Sequence, residues 1–352
     1  MTVTIADVAR HAGVAVSTVS YVLSGKRTIS ATTRQRVLAS IRTLGYHPNA
    51  GARALASKRA NVIALVLPLR AGMHLPVLMQ FATTVVTTAR THDHDVLLVT
   101  ADEGEAGLRR VAASSLVDGL VLMDVELHDA RVPLLRELPC PSVLIGFPAE
   151  ATGLTCVDLD FAAAGGRCVE HLASLGHREI ALLGAPQVVY ERHTGYAVRT
   201  RRGFTQTAER LGLAATALPC EESADAVRAE VAELLERRPG LTGLVVHNEA
   251  AVSHVLAALA GLGKRVPQDV SVVAICPDEL AERASPALTS VLIPAEEVGR
   301  HAVTLLMRKL SDQDPAAVPD ATLLAPRLTV RASTAPAPRD RSQTSPVAPG
   351  VA

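Results

Sequence analysis

The 352-residue chain has no tryptophan and only four phenylalanines and four tyrosines, so any pocket that stacks flat rings must draw on very few residues. Its five cysteines, Cys140, Cys156, Cys168, Cys220 and Cys276, are scattered without a CxxC pair. That spacing excludes a disulfide framework and a zinc site, and reduced cysteines in a cytoplasmic protein are expected. No apolar run reaches the roughly 18 residues of a membrane span. The opening MTVTIADVAR has neither a basic segment nor an apolar core, so no secretory signal is expected there. No GxGxxG or GxxxxGK[ST] follows a strand-like run; GLGKR at 261–265 follows a helical one. A nucleophile elbow and HExxH are also missing, which removes the usual signatures of nucleotide-dependent and hydrolytic enzymes. The HDHD run from His92 to Asp95 reads as a polar loop before the strand DVLLV, and no metal or cofactor is expected.

Net charge is zero overall, yet the charges are not evenly spread. Residues 1–60 hold nine bases (Arg10, Lys26, Arg27, Arg34, Arg36, Arg42, Arg53, Lys58 and Arg59) against the single acid Asp7, leaving +8 there and −8 in the remainder. Such asymmetry is the footprint of a nucleic-acid module joined to a mildly acidic body. At this length two or three domains are expected.

In the basic part, Thr4 and Asp7 have the spacing of a capping box, and Ile5, Val8, Ala9 and Ala12 repeat at helical intervals up to Gly13. VAVSTVSYVLSG, Val14 to Gly25, then places Val19, Val22 and Leu23 on one apolar face, with Ser17, Ser20 and Tyr21 off it. Two short helices joined by a glycine-containing turn read as helix-turn-helix. Ser30 is a natural N-cap for a third helix with Val37, Ile41 and Leu44 inward and Gly45 as its stop. Three small helices carrying this charge form a DNA-binding head.

TIADVARHAGVAVSTVSYVLSGK followed by TRQRVLASIRTLGYHPNAGARALAS resembles the lactose-repressor (LacI/GalR) family of bacterial transcription regulators almost without a gap over residues 2–57. The resemblance implies that the second helix enters the major groove, with Val16, Ser17 and Tyr21 where base-reading side chains sit and Thr18 and Ser20 where phosphates are held. It also implies DNA contacts at Thr4, Ser30, Asn49, Ala52 and Arg53. Ala15 stands where most members have a capping serine, a loss of about 1 kcal/mol in the free head. Tyr21 stands where Arg or His is frequent. PNAGARALASKR, Pro48 to Arg59, resembles the hinge that becomes helical only on operator DNA; the short segment, weakened by Gly51, is marginal alone. Leu55 is then the apolar wedge that enters a central minor-groove step with its dimer mate.

From residue 62 onward, short β-rich runs alternate with helical stretches: VIALVLP, DVLLVTA, GLVLMD, PSVLIGF, EIALLGA, GLVVHN, VSVVAIC and LTSVLIP. Alternation of this kind means parallel sheets wrapped by helices, with ligands at the carboxyl ends of the strands. The expected fold is thus an N-terminal all-α helix-turn-helix head plus hinge helix and an α/β two-lobe body, periplasmic-binding-protein-like, with parallel sheets. The expected boundaries are 1–47 for the head, 48–60 for the hinge and 61–334 for the body. Within the body, lobe 1 takes about 61–160 and 291–320, and lobe 2 about 161–290 and 321–334, with a last strand near RLTVRAS. The Pro-, Ala- and Ser-rich segment 335–352 is expected to be a disordered tail.

The resemblance puts a small-molecule effector between the lobes. Asn248 in VVHNEA matches the family's polar residue, whereas Glu249 replaces the usual Asp. The family's ligand-gripping Arg falls on Thr200, leaving either Arg199 or Arg201 for the role. The family's Asp after VSVVAI is Cys276, with Asp278 two residues later. His74, in GMHL, lies where an aromatic often stacks; Phe147, Phe161, Tyr190 and Tyr196 are further ring candidates. Arg192, in RHTGYAVRTRR, leaves an anionic ligand open, although a sugar or sugar derivative is the first expectation. A cytoplasmic homodimeric repressor on palindromic double-stranded operator DNA is expected, with no membrane partner. Its competitors are a solute-binding protein and a sugar-metabolising enzyme on a similar body.

Overall fold

The computed structural model describes residues 3–24, 27–46, 59–114, 116–311 and 321–338. It divides into a unit ending at Asn61 and a second unit starting at Val62. The first holds helices Ile5–Ala12, Val16–Ser24 and Ala31–Leu44. The Thr4 hydroxyl accepts from the Asp7 amide while the Asp7 carboxylate accepts from the Thr4 amide, so two free helix-start donors are satisfied reciprocally. Gly13 and Gly45 end the first and third helices in the left-handed conformation that a side chain would strain. Val8, Val19 and Val37, one from each helix, close a small core. Leu23, expected inward, is exposed.

The second unit contains two six-stranded sheets. Its strands are β1 Val62–Val66, β2 Asp95–Val99, β3 Gly119–Leu122, β4 Ser142–Ile145, β5 Cys156–Leu159, β6 Glu179–Leu183, β7 Ala214–Leu218, β8 Gly243–Val246, β9 Ser271–Cys276, β10 Thr289–Leu292, β11 Ala321–Leu324 and β12 Leu328–Thr329. The first sheet runs β11-β5-β4-β3-β1-β2 and is parallel throughout. The second runs β12-β10-β9-β8-β6-β7, with only β12 antiparallel. Helices cover both faces, which is why β3, β4, β8 and β9 are buried at every residue and read as unbroken apolar runs.

Three short segments carry the chain between the lobes. After β5, Asp160 caps helix Phe161–Ser174, which packs on the second sheet. After β10, helix Ala295–Leu310 returns to β3, β4 and β5 of the first. The strand β11 joins β5 in the first sheet, although the sequence reading put 321–334 with the second lobe. Its place follows from length: the turn between Leu324 and Leu328 is short, and the antiparallel β12 is what reaches the second sheet. The crossings are tied together, since the Asp160 amide donates to the Leu324 carbonyl at 2.9 Å and the Leu292 amide to Arg327 at 3.2 Å.

Residues 335–338, expected to belong to the tail, are held by hydrogen bonds; 339–352 lie outside the described residues. The Ala335 amide donates to Ser271 Oγ, its carbonyl receives His177 Nε2, and the Ala337 amide donates to Leu175, so residues up to Pro338 belong to the second lobe's surface. Among the described residues no helix is long and apolar enough to cross a membrane, and no three ligating side chains gather to hold a metal. The HDHD segment forms the expected loop, with Asp93 in a left-handed turn and His94 Nδ1 on the His92 carbonyl.

Candidate functional sites in the helical head and the cleft

On the head, the inner face of the second helix is Val19 and Val22, and the outer face presents Val16, Ser17, Ser20 and Tyr21 to solvent, with Thr18 half-buried. Tyr21 carries the guanidinium of Arg27 over its ring at 5.8 Å. Thr4 and Ser30 spend their hydroxyls on capping. Ser40, buried on the third helix, bonds His11 Nδ1 at 3.0 Å and the Arg36 carbonyl at 2.9 Å, locking the first helix to the third. Arg34, Arg36 and Arg42 are exposed and Arg10 is paired with Asp7 at 3.1 Å. A polar, cation-flanked helix standing on a rigid three-helix base can meet a polyanion without reorganising its core. Asn49, Ala52, Arg53 and Leu55 lie outside the described residues.

In the body, a cavity of about 100 Å³ lies between the lobes. It is ringed by strand ends, as open parallel sheets require: Asp124 follows β3, Gly146 follows β4, Asp158 sits in β5, and His247 and Glu249 follow β8. Met73, His74 and Phe81 close it from the first lobe, Phe161 and Tyr196 from the second. The rings of Phe161, Tyr196 and His247 form a triangle with all three centroid separations at 5.6 Å.

Two carboxylates on this wall are held from behind by arginines. Arg70 bonds Asp124 at 3.0 Å, Glu126 at 2.7 Å and Asp102 through two nitrogens. Arg199 bonds Asp158 at 2.5 Å across the lobes and lies over Phe147 and Phe161. Burial nevertheless dominates and raises the Asp158 carboxyl to about 6, and Asp124 is shifted the same way. Glu249, half-buried on the cavity wall, is raised to about 7 by desolvation, while burial lowers His247 to about 4. Asp124 itself is left-handed, a strained position for a residue with a side chain at a strand end.

The lobes are also stitched at the backbone. Leu127 donates to His193 and Gly195 to Val125, each at 2.9 Å, and Arg192 Nη1 donates to the Ala71 carbonyl at 3.1 Å. A cavity this size holds a few waters, whereas small-molecule pockets span roughly 300–1,000 Å³. Admission of anything larger therefore parts these contacts.

Of the expected effector residues, His74, at the start of helix Leu75–Thr91, lines the cavity together with two of the ring candidates, Phe161 and Tyr196. The others take different places. Asn248 gives its amide to the Cys220 carbonyl at 2.7 Å and receives the Ala250 amide, so it shapes its own loop. Cys276 is sealed in the second core, and Asp278 pairs with Arg331 at 3.0 Å. Arg201 is exposed over the Tyr190 ring at 4.3 Å, and Thr200 is buried, bonded to the Tyr196 carbonyl. Phe147 is under Arg199 and is not part of the wall. Arg192 bridges the lobes but keeps Nε and Nη2 buried without a partner. Asp124, Asp158 and His247 were not expected from the sequence; the signal for them is position, since each closes a strand of the parallel sheets.

Comparison with known proteins agrees with both halves. Residues 4–49 match the family of bacterial regulatory proteins, lacI family, and residues 169–334 match the periplasmic binding protein-like domain. The HTH-type transcriptional regulator AglR of Rhizobium meliloti (strain 1021) is 30% identical over 355 residues, covering 97% of this chain and 97% of its own. A Lac repressor dimer bound to operator and the anti-inducer ONPF superposes with a TM-score of 0.80 at 25% identity, over 95% of this chain and 100% of that one. The transcriptional regulator CelR in complex with cellobiose gives 0.66 at 28% identity, over 94% and 99%. These relatives are regulators, neither solute-binding proteins nor enzymes, and the sequence and fold agree: the chain belongs to the lacI family of bacterial regulatory proteins, DNA-binding regulators of transcription.

Proposed function

We propose that the protein is a cytoplasmic repressor that binds a palindromic operator as a homodimer and is controlled by a small polar effector, a sugar or sugar derivative, in the cleft. The observation that carries this reading is the cavity itself, closed between two lobes by polar strand ends in a chain that also bears an exposed polar helix on a basic head. A Lac repressor dimer bound to operator and a CelR–cellobiose complex, both similar to this chain, support the three partners together. An effector that binds one arrangement of the lobes better than the other shifts the population, and with it the operator affinity.

The head reads bases through Val16, Ser17 and Tyr21, and Leu55 is the wedge at the operator centre. Selection of bound sequences from random duplex DNA by the full-length protein, repeated with a saccharide panel, tests this reading. A palindrome whose enrichment changes with one saccharide is expected. Enrichment of a sequence without dyad symmetry would remove the dimer, and enrichment indifferent to every saccharide would remove the sugar effector.

A further inference from the structure

Building on the reading of the cleft as the effector site, we propose that the effector carries no negative charge. It is a donor-rich, uncharged or amine-bearing polyol gripped by Asp124, Asp158, His247 and Glu249, and Arg70 and Arg199 hold Asp124 and Asp158 instead of the ligand.

The wall of the cavity includes three carboxyl groups and no lysine or arginine among the described residues. Arg70 and Arg199 approach Asp124 and Asp158 from outside the lining, and each carboxylate keeps lone pairs for further donors. Arg201 is turned onto Tyr190, and Arg192, also outside the lining, gives Nη1 to the Ala71 carbonyl while its Nε and Nη2 stay buried and unpartnered. An anionic group in the cavity would stand beside like charges in a low-dielectric space with no counter-cation on the wall. Hydroxyl and amine hydrogens meet the opposite situation.

His247 supplies the independent mark of a ligand. The residue is 2% exposed, it lines the cavity, and its Nδ1 is buried with no hydrogen-bond partner. Buried polar atoms are almost always paired, so an orphan nitrogen on a residue that lines the cavity points to a partner that arrives. The imidazole is neutral, held so by burial, and serves a hydroxyl as donor or acceptor without attracting an anion. Glu249 lines the cavity with no lysine or arginine beside it in the lining, and Glu222 adds a charge of the same sign, which makes this end of the cavity the place for an amine.

The test is a matched panel measured on the full-length chain by thermal shift and calorimetry: glucose, glucosamine, gluconate and glucose 6-phosphate, then cellobiose, its diamino counterpart and cellobionate. Binding is expected only among the neutral and amine members. Glu249→Gln and His247→Leu should each weaken it by about tenfold or more. His247→Leu should at the same time melt no lower than the parent, because it removes an unpaired buried atom; a merely structural histidine would lose stability instead. An acid or phosphate binding more tightly than its neutral parent overturns the inference and leaves the cleft as an effector site. A panel in which nothing binds and nothing moves operator affinity overturns both this inference and the sugar-effector reading.

Discussion

Glu249 and His247, two positions apart on one loop, pull stability in opposite directions with pH. The folded carboxyl of Glu249 is raised to about 7, so its contribution is present below its unfolded value and is lost as pH rises to 7. The folded imidazole of His247 is lowered to about 4, so its contribution is present at neutral pH and is lost as pH falls toward 4. Glu249→Gln isolates the first: its melting temperature should exceed that of the parent at pH 7.5 by about 2–4 °C for each 1 kcal/mol removed, and the gap should close by pH 4.5. A constant gap across that range would mean that the carboxyl is already hydrated in the fold. Arg131 and Asp129 offer a different case, a pair whose side chains are each 5% exposed. Replacing Arg131 with methionine should cost about 3–5 kcal/mol in urea unfolding, since Asp129 is left buried without its counter-charge. At this scale the sequence was least informative. Asn248 has the right chemistry for a ligand, but the Cys220 carbonyl and Ala250 amide consume it; residue type does not reveal whether the backbone has already claimed the side chain.

At the scale of elements, the join between helices Phe161–Ser174 and Gly195–Arg210 rests on missing side chains. A Cβ at Gly203 would overlap the carbonyl of Ala162, and one at Gly165 would overlap that of Thr200. Backbone cannot retreat as a flexible side chain can, so Gly203→Ala should destabilise by about 1–3 kcal/mol or more, measured by urea unfolding. In the head, Thr4→Ala should cost about 1 kcal/mol by removing half of the capping box. Elements were also the scale at which the sequence was most legible, because covered parallel strands such as GLVL and SVVAIC leave unbroken apolar runs, and capped helices announce their ends. The strands that went unread are β5, β7 and β11, and each has a local reason. CVDL is interrupted by Asp158, AATAL is too rich in alanine to look extended, and ATLL offers a single pair of leucines between Pro319 and Pro326.

For the whole molecule, the separation of charge is the governing feature: a basic head and an acidic body make the protein a directional partner for a polyanion. Substituting Arg36 by alanine should lower the salt slope of operator binding by about one if its guanidinium meets a phosphate. An unchanged slope would place it off the DNA. Light scattering at micromolar concentration should give twice the chain mass, and a single-chain mass would remove the homodimer. The three crossings between the lobes bear on how the protein is made. Because β11 completes the first sheet and residues 331–337 lace the second, neither lobe is one continuous stretch of chain. A ribosome that has delivered everything up to Leu310 has therefore finished neither lobe, and both must wait, with the edge of β5 still open, until the last strands emerge.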